Sequence, residues 1–350
     1  MVIYIIWEDK MKKLIALILS MVMIVSLVAC SGNSGSSEEP AANDRTTVSK
    51  IAVVLPGSIT DESWNQSAYE GLMTIKDAGY ETAYTENVDV SSAEAVVRGY
   101  CSEGYDFIIA HGAQYGQAVC NVAPDFENVN FFITGNAPED IPEAELPANI
   151  MFADYRECEG AYVSGVLAAH MTKSGKVGYI GGGNNTTQQS DKNAFIDGVK
   201  SVNPALEIST VITGTFDDTT LGYETAKAMH ESGVDVILQT CDHTGLGALQ
   251  YCSENGVYCI GYTSDQSDLV EGDLMLTSML IDIPYMISSQ IEAIGAGNYG
   301  GQTFPGLHDG VVSMADFSAA VPEQVQARVN EVIASIASGE LVITPNYSEN

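Results

Sequence analysis

Lys50–Gly71 reads KIAVVLPGSITDESWNQSAYEG and is the stretch that decides the fold. Ile51–Leu55 is a short apolar run that predicts a buried strand, and Pro56 and Gly57 end it. A polar loop follows, and Trp64 begins a segment with apolar residues at helical spacing. This order places free backbone N–H groups at the carboxyl end of a strand, where open α/β sheets bind ligands. An ordinary βα connection is the alternative, and Trp64, which could stack on a planar ligand, favours a binding site.

Short apolar runs continue to alternate with helical segments along the chain, a rhythm that predicts parallel sheets with helices on both faces. The remaining chain of about 300 residues is too long for one ordinary core and suits two lobes with a cleft between them. We expect crossings between the lobes near Pro138–Asn149 and near Gly272–Asp282. These crossings would give a first lobe of 48–154 and 277–300, and a second lobe of 155–276 and 301–345.

The N-terminal segment 1–30 is typical of a secretion signal, with its true start expected at Met11. A basic pair precedes the apolar stretch Leu14–Val28, and the segment closes with Leu27-Val28-Ala29-Cys30, which resembles a bacterial lipobox. We therefore expect cleavage before Cys30, diacylation of its thiol and attachment to the membrane. A plain secretory peptide is the alternative. Residues 31–47 are rich in Ser, Gly and Glu and predict a flexible tether.

Composition limits the class of protein. The net charge of −32 argues against nucleic-acid binding and against a basic membrane-surface patch. The other six cysteines have no zinc-site or C-x-x-C spacing. A disulfide between Cys252 and Cys259 is an alternative that the sequence leaves open. No catalytic motif is present, so we expect neither an enzyme nor a cofactor or metal site. His111 and His243 follow predicted strands. Each could line a cleft and contact a ligand, or it could be a loop residue whose hydrogen bonds are made within the protein.

Six segments then carry a family resemblance, in the order TDESWNQ (60–66), EGAYVSG (159–165), KVGYIGG (176–182), GVKSVNP (198–204), GTFDD (214–218) and GYTSDQ (261–266). Together they resemble the basic-membrane-protein (PnrA-like) family of lipoproteins, the substrate-binding proteins of ABC importers. The resemblance covers nearly all of Lys50–Pro345. It implies a type I periplasmic-binding fold, with two lobes that each contain a mostly parallel, doubly wound sheet.

The resemblance also implies a ligand, because known members mostly bind purine nucleosides between two aromatic rings. By motif match, Trp64 and Phe216 would be the two faces here, and Asp61 and Asn65 would meet the edge of the base. The remaining candidate contacts are His111, Asp242 and Asp265. Helix capping is an equal alternative for Asp242, and bracing of its loop is one for Asp265.

Two positions depart from the family pattern. Thr263 stands where the family has an Asp, and Ile281 stands where it has a Lys. Both lost groups are associated with the ribose, so a free nucleobase or another flat molecule should bind about as well as a nucleoside. Sugar contact through Asp265 or Asp242 stays open.

The sequence thus predicts a lipid-anchored, extracytoplasmic solute-binding protein, expected to be a monomer. It would deliver a flat ligand, a purine nucleoside or nucleobase, to the permease of an ABC transporter. A ligand sensor of the same fold that signals to a membrane partner is the alternative. In either case two lobes would close on the ligand, with hinge strands near Asn149–Ala153 and Met275–Met279.

Overall fold

The computed structural model describes residues 45–348 as two six-stranded sheets flanked by helices. The strands are β1 (Lys50–Val54), β2 (Glu81–Thr85), β3 (Phe107–Ala110), β4 (Asn130–Ile133), β5 (Ile150–Ala153), β6 (Lys176–Gly181), β7 (Glu207–Ile212), β8 (Val236–Thr240), β9 (Tyr258–Thr263), β10 (Met275–Ile281), β11 (Gly301–Thr303) and β12 (Val312–Met314). The helices are α1 (Trp64–Asp77), α2 (Val90–Ser102), α3 (Gly116–Val122), α4 (Glu157–Met171), α5 (Thr186–Val202), α6 (Thr219–Glu231), α7 (Asp242–Asn255), α8 (Ile283–Gly295) and α9 (Glu323–Ala337). The expectations for segment 1–30, Cys30 included, and for most of the tether lie outside these residues.

Each sheet forms the centre of one lobe. The first has the strand order β11-β5-β4-β3-β1-β2, and all its neighbouring strands are parallel. The second has the order β12-β10-β9-β8-β6-β7, and only β12 is antiparallel to its neighbour. The predicted α/β fold with two mostly parallel, doubly wound sheets is confirmed.

Strand pairing agrees with the first expected boundary between the lobes and moves the later ones. The segment Pro138–Asn149 stays in the first lobe, because β5 follows it and pairs with β4. The chain crosses after Ala153, next to the expected boundary between residues 154 and 155, and it crosses again after Ile281, since β10 pairs in the second sheet. A third crossing follows β11, which pairs with β5 in the first sheet. The expected segment 277–300 of the first lobe is thus replaced by one that begins after β10 and includes β11.

The cores explain why these elements form. Residues Ile51–Val54 of β1 are fully buried in the middle of the first sheet, which accounts for their unbroken apolar run. Helix α8 packs on α1, where Gly71 lies close to Pro284, and α9 packs on α4. No helix within residues 45–348 is long and apolar enough to cross a membrane. The six cysteines of this range are buried free thiols, so Cys252 and Cys259 form no disulfide.

Glycines set the spacing of the helices α6 and α7 in the second lobe. A Cβ atom on Gly222 would overlap the carbonyl oxygen of Thr244, and one on Gly247 would overlap that of Thr219. The two helices therefore approach each other closely enough that neither position has room for a methyl group. By contrast, a Cβ atom on Gly99 of α2 would meet nothing within 4 Å.

These two environments predict opposite effects of the same substitution. Gly99→Ala should stabilise the protein by about 0.5–1 kcal/mol, because alanine is the better helix former. Gly222→Ala should destabilise it by about 1–3 kcal/mol through overpacking against Thr244. Urea unfolding of both variants measures the two signs. An increase in stability for Gly222→Ala would contradict the close approach of α6 and α7.

Candidate ligand-binding site

The candidate site lies where the carboxyl ends of strands from both sheets face each other. The first lobe contributes the loop 55–63 after β1 and His111 after β3. The second contributes Gly182 after β6, Asp242 after β8 and Thr263 at the end of β9. Parallel strands bring these segments to one edge of each sheet, as expected for ligand sites in open α/β folds.

Asp61 organises the loop after β1. Its buried carboxylate accepts four hydrogen bonds: from the amides of Ser63 and Gln66 at 3.0 Å, from the amide of Asn65 at 2.8 Å, and from Asn65 Nδ2 at 2.7 Å. Asn65 Oδ1 in turn accepts from the amide of Gly57 at 3.1 Å. These bonds cap the first turn of α1 and fix the loop. Asp61 and Asn65, which we expected at the edge of a base, thus bond mainly within their own loop.

Trp64 is held from behind by His111. The two rings stack with centroids 4.1 Å apart, and Tyr155 lies 5.3 Å from the indole at a tilt. His111 is fully buried, its Nε2 donates to the carbonyl of Trp64 at 3.0 Å, and its Nδ1 accepts from Thr134 at 2.8 Å. Burial lowers the pKa of His111 to about 3, so the ring stays neutral. His111 therefore positions Trp64 and carries no charge into the cleft.

Phe216 lies on the second lobe in the loop before α6. A Cβ atom on Gly182 or Gly183 would collide with its ring, so the two glycines let the ring rest on their backbone. The ring is half-buried. Trp64 and Phe216 thus lie on opposite lobes, as the predicted sandwich requires, and the sandwich itself stays a prediction.

The two lobes are joined by hydrogen bonds to the loop of Asp61. The carbonyl of Glu62, at the positive φ of 51°, accepts from Ser264 Oγ at 3.0 Å and from Gln266 Nε2 at 3.1 Å. The imidazole of His243 reaches the carbonyl of Thr60 at 3.1 Å. The structure is therefore a closed arrangement of the lobes.

Asp265 stays outside this contact. Its side chain is exposed and accepts from the amide of Ser267 at 3.0 Å, which braces the loop. This geometry favours the interpretation that Asp265 stabilises its own loop over the one in which it contacts a ligand.

Three buried acids line the interior between the lobes. Asp242 is 6% exposed at a φ of 46°, Glu157 at the start of α4 is 2% exposed, and Asp191 in α5 is fully buried. Burial first, and the neighbouring Asp61 next, raise the pKa of Asp242 to about 7. Burial also raises the pKa of Glu157 to about 8, against a hydrogen bond from Tyr262, and that of Asp191 well above its usual range. Sequence reasoning found Asp242 and missed the other two.

The two departures from the family pattern behave differently. Thr263 is 3% exposed, has the strained φ of 66° for a β-branched residue, and its hydroxyl has no hydrogen-bond partner. It is therefore a candidate ligand contact. Ile281 is 2% exposed and packs in the apolar core. Within residues 45–348, no group of three or more His, Cys, Asp or Glu side chains could hold a metal ion.

The fold and the cleft define a two-lobed solute-binding protein. A sequence model of the family "ABC transporter substrate-binding protein PnrA-like" matches residues 48–346, so the chain belongs to this family. The expected resemblance is confirmed. Proteins of the family are extracytoplasmic and bind small-molecule ligands and permeases.

Individual relatives agree with this assignment. The chain is 29% identical to the transcriptional activator protein Med of Bacillus subtilis, over 93% of this chain and 99% of that protein. It is 25% identical to basic membrane protein A1 of Borrelia garinii, over 96% of this chain and 97% of that protein. A solved ABC transporter solute-binding protein from Conexibacter woesei superposes with a TM-score of 0.70 at 26% identity, over 86% of this chain and 100% of that chain.

His243 makes the contact between the lobes sensitive to pH. Burial lowers its pKa, but the Asp217 carboxylate 2.8 Å from Nδ1 and the carbonyl of Thr60 outweigh burial, and the pKa is raised. Asp217 lies on the same lobe as His243, so the bond to Thr60 is the one that closure adds, and it makes the pKa higher in the closed form than in the open form. Its contribution to closure is therefore complete at a pH below the open-state pKa. It is then lost as the pH rises through the closed-state value.

We therefore expect ligand affinity to fall as the pH rises through this interval, and expect His243→Gln to flatten that part of the profile. Calorimetry across the pH range measures it. The exposed His308 supplies the control, since His308→Gln should keep the profile of the unmodified protein. An unchanged profile in His243→Gln would remove the imidazole from the closing mechanism.

Proposed function

We propose that the protein is a lipid-anchored, extracytoplasmic solute-binding protein that closes on a flat ligand, a purine nucleoside or nucleobase, and delivers it to an ABC permease. The observation that carries the proposal is the set of hydrogen bonds from Ser264, Gln266 and His243 to the loop that leads into Trp64. A ligand that orders Trp64 and its loop would therefore also favour closure. Closure would exclude water and present a changed outer surface to the permease.

The ligand would lie between the rings of Trp64 and Phe216. Stacking accepts any flat base, and hydrogen bonds to the edge then select among bases. Asp242 Oδ1 and Thr263 Oγ1 are buried acceptors without a partner, so they suit N–H donors on the edge of a ring. Asp61 and Asn65 would act on the ligand chiefly by fixing the loop that holds Trp64.

The residue Ile281 supports a ligand site that does not require a ribose on the base. No ammonium group stands at this position to hold a ribose, and Thr263 offers a hydroxyl in place of a carboxylate. We infer that a free base binds about as well as its nucleoside. A calorimetric screen of bases, nucleosides, flavins and sugars tests the proposal. Binding of sugars alone would remove the reason for two aromatic faces.

We infer binding without catalysis. The cleft has buried carboxyl groups and a neutral histidine, but the hydrogen bonds of His111 run to the carbonyl of Trp64 and to the hydroxyl of Thr134, which is itself buried. Incubation with a nucleoside should therefore release no free base at an enzyme-dependent rate.

A ligand sensor is the second candidate, and the similarity to the transcriptional activator protein Med supports it. A sensor would use the same cleft and the same closure but would signal to a membrane partner. Uptake of labelled ligand by cells that lack the protein separates the two. Loss of uptake supports transport, and unchanged uptake with altered gene expression supports sensing.

Removal of either stacking face should weaken binding. Trp64→Ala and Phe216→Ala should each cost about 1–3 kcal/mol, which is about five- to a hundredfold in affinity. Titration calorimetry with the best ligand of the screen measures the loss. Tyr285→Ala is the matched control, because Tyr285 is 54% exposed on α8 of the first lobe. Full affinity in Phe216→Ala would rule out the sandwich.

Membrane attachment should depend on Cys30. Cys30→Ala should prevent diacylation, so the protein should leave the membrane fraction or accumulate unprocessed. Cell fractionation with mass spectrometry of the N-terminus measures both outcomes. Cys101→Ala, which changes a buried thiol of the first lobe, should stay at the membrane. Processed, membrane-bound Cys30→Ala would contradict the lipid anchor.

A further inference from the structure

Three buried carboxyl groups in the cleft have oxygens without a hydrogen-bond partner. These oxygens are Oε1 of Glu157, both Oδ atoms of Asp191 and Oδ1 of Asp242. The other oxygen of Glu157 accepts from the hydroxyl of Tyr262 at 2.8 Å. Glu157 and Asp191 lie within hydrogen-bond reach of each other, so a proton on one carboxyl group can bond the other in the absence of a ligand. A ligand that supplies positive charge or N–H bonds to these oxygens would take the place of that proton.

A small cavity lies against two of these acids. It has a volume of about 20 Å³ and is lined by Glu157, Asp191, Ser190 and Tyr155, among others. The hydroxyl of Ser190 also lacks a partner. The volume fits a single water-sized group, and an ammonium group is of that size. The cavity therefore combines orphan acceptors with room for one small donor.

Burial and neighbouring side chains without positive charge shift the pKa values of Glu157 and Asp191, whereas the imidazole of His243 acts on Asp242. Arg156 approaches Asp154 at 3.8 Å and lies over the ring of Phe304. His111 is neutral, and Ile281 is apolar. Removing several carboxylates from water without a counter-charge is costly, so each must be protonated or must meet a cation.

Aromatic rings complete the surroundings. Tyr155 lies beside Trp64. Burial first, and the charges of Glu157, Asp191 and Asp242 next, raise the pKa of its hydroxyl. Burial and the charges of the same three acids also raise the pKa of Tyr262. Ring faces attract a cation, and this attraction strengthens where water is excluded. Acidic groups and ring faces thus converge on the same buried space.

We propose, building on the proposed function, that the ligand is an organic cation whose protonated nitrogen is held by Glu157 and Asp191 beside the ring of Tyr155, while the charge of Asp242 acts on it from the neighbouring space. A flat base with a positive charge would meet both the stacking faces and the acids. The acids then set the charge of the ligand, and the rings set its shape.

The pKa values of the acids give the proposal a signature in pH. In the absence of a cation, burial keeps the pKa of Glu157 at about 8 and that of Asp242 at about 7. A bound cation favours the ionised forms, so binding releases protons and affinity rises with pH until both groups are ionised. The charged and titratable groups that face the acids include Asp61, Asp154, Tyr155, Cys158, Tyr179, Cys241, His243 and Tyr262. His243→Gln removes the opposing contribution of the imidazole.

Paired probes test the charge directly. The first pair is adenosine and adenosine methylated on its pyrimidine-ring nitrogen, which is a cation near neutral pH. The second pair is benzylamine, whose ammonium group is of the size of the cavity, and neutral benzyl alcohol. Calorimetry on the full chain should show that at least one cation binds about tenfold or more tightly than its neutral partner, a difference of about 1.4 kcal/mol. Its affinity in the His243→Gln background should rise with pH.

Isosteric variants locate the effect. Glu157→Gln and Asp191→Asn should each remove most of the preference for the cation and leave the affinity of the neutral partner within about twofold. Glu292→Gln, which changes an exposed acid on α8, should retain the preference. The pH profile of the unsubstituted acids keeps the test decisive if a variant fails to fold.

The outcomes separate this proposal from the proposed function. Equal or tighter binding of neutral adenosine, without a rise in affinity with pH, would overturn the inferred charge and support a neutral purine ligand. Failure of every cation to bind would also overturn it, whatever the purine screen finds. Retention of the preference in both Glu157→Gln and Asp191→Asn would remove these acids from the site.

Discussion

The carboxylate of Asp61 fixes the loop on which the contact between the lobes depends. Its four hydrogen bonds shape the turn before α1, so that the carbonyls of Thr60 and Glu62 point toward the second lobe. Each bond across the cleft contributes a net of about 0.5–1.5 kcal/mol. A few such bonds are too weak to lock the lobes, but they are strong enough to be tipped by a ligand. The same loop carries Trp64, and ligand contact and closure are therefore coupled through one short segment.

The fold was largely readable from local pattern, since β1 and α1 follow directly from their apolar spacing. The later lobe boundaries, after Ile281 and after β11, were not predicted. The polar, Pro-rich segment Pro138–Asn149 marks a surface loop, whereas membership of a lobe depends on which sheet edge a strand joins. That choice is a long-range pairing, and β11 and β12 are only three residues each, too short to show a period. Local pattern was therefore a poor guide to these two crossings.

The family motifs predicted Trp64 and Phe216 as candidate contacts, and positions near predicted strand ends and helix starts predicted His111 and Asp242. Trp64, His111, Phe216 and Asp242 lie at the cleft, whereas Asp61, Asn65 and Asp265 serve mainly the loops that carry them. Glu157 and Asp191 were not predicted, because an acid in the first turn of a helix, as Glu157 is, or in a polar helix, as Asp191 is, is ordinarily solvated. Their burial arises only when α4 and α5 pack together and Tyr262 covers Glu157. No local signal records this packing.

The replacements at Thr263 and Ile281 bear on the electrostatics of the whole cleft. If the family pattern has an Asp and a Lys there, this chain has lost one charge of each sign, so no unpaired charge is left at either position. The electrostatics then depend on Glu157, Asp191 and Asp242. When the lobes close without a counter-charge, these acids must hold protons; when they close on a cation, they can remain ionised. The charge of the ligand and the closure of the lobes are thus linked by the same three side chains, through the same desolvation that raises their pKa values.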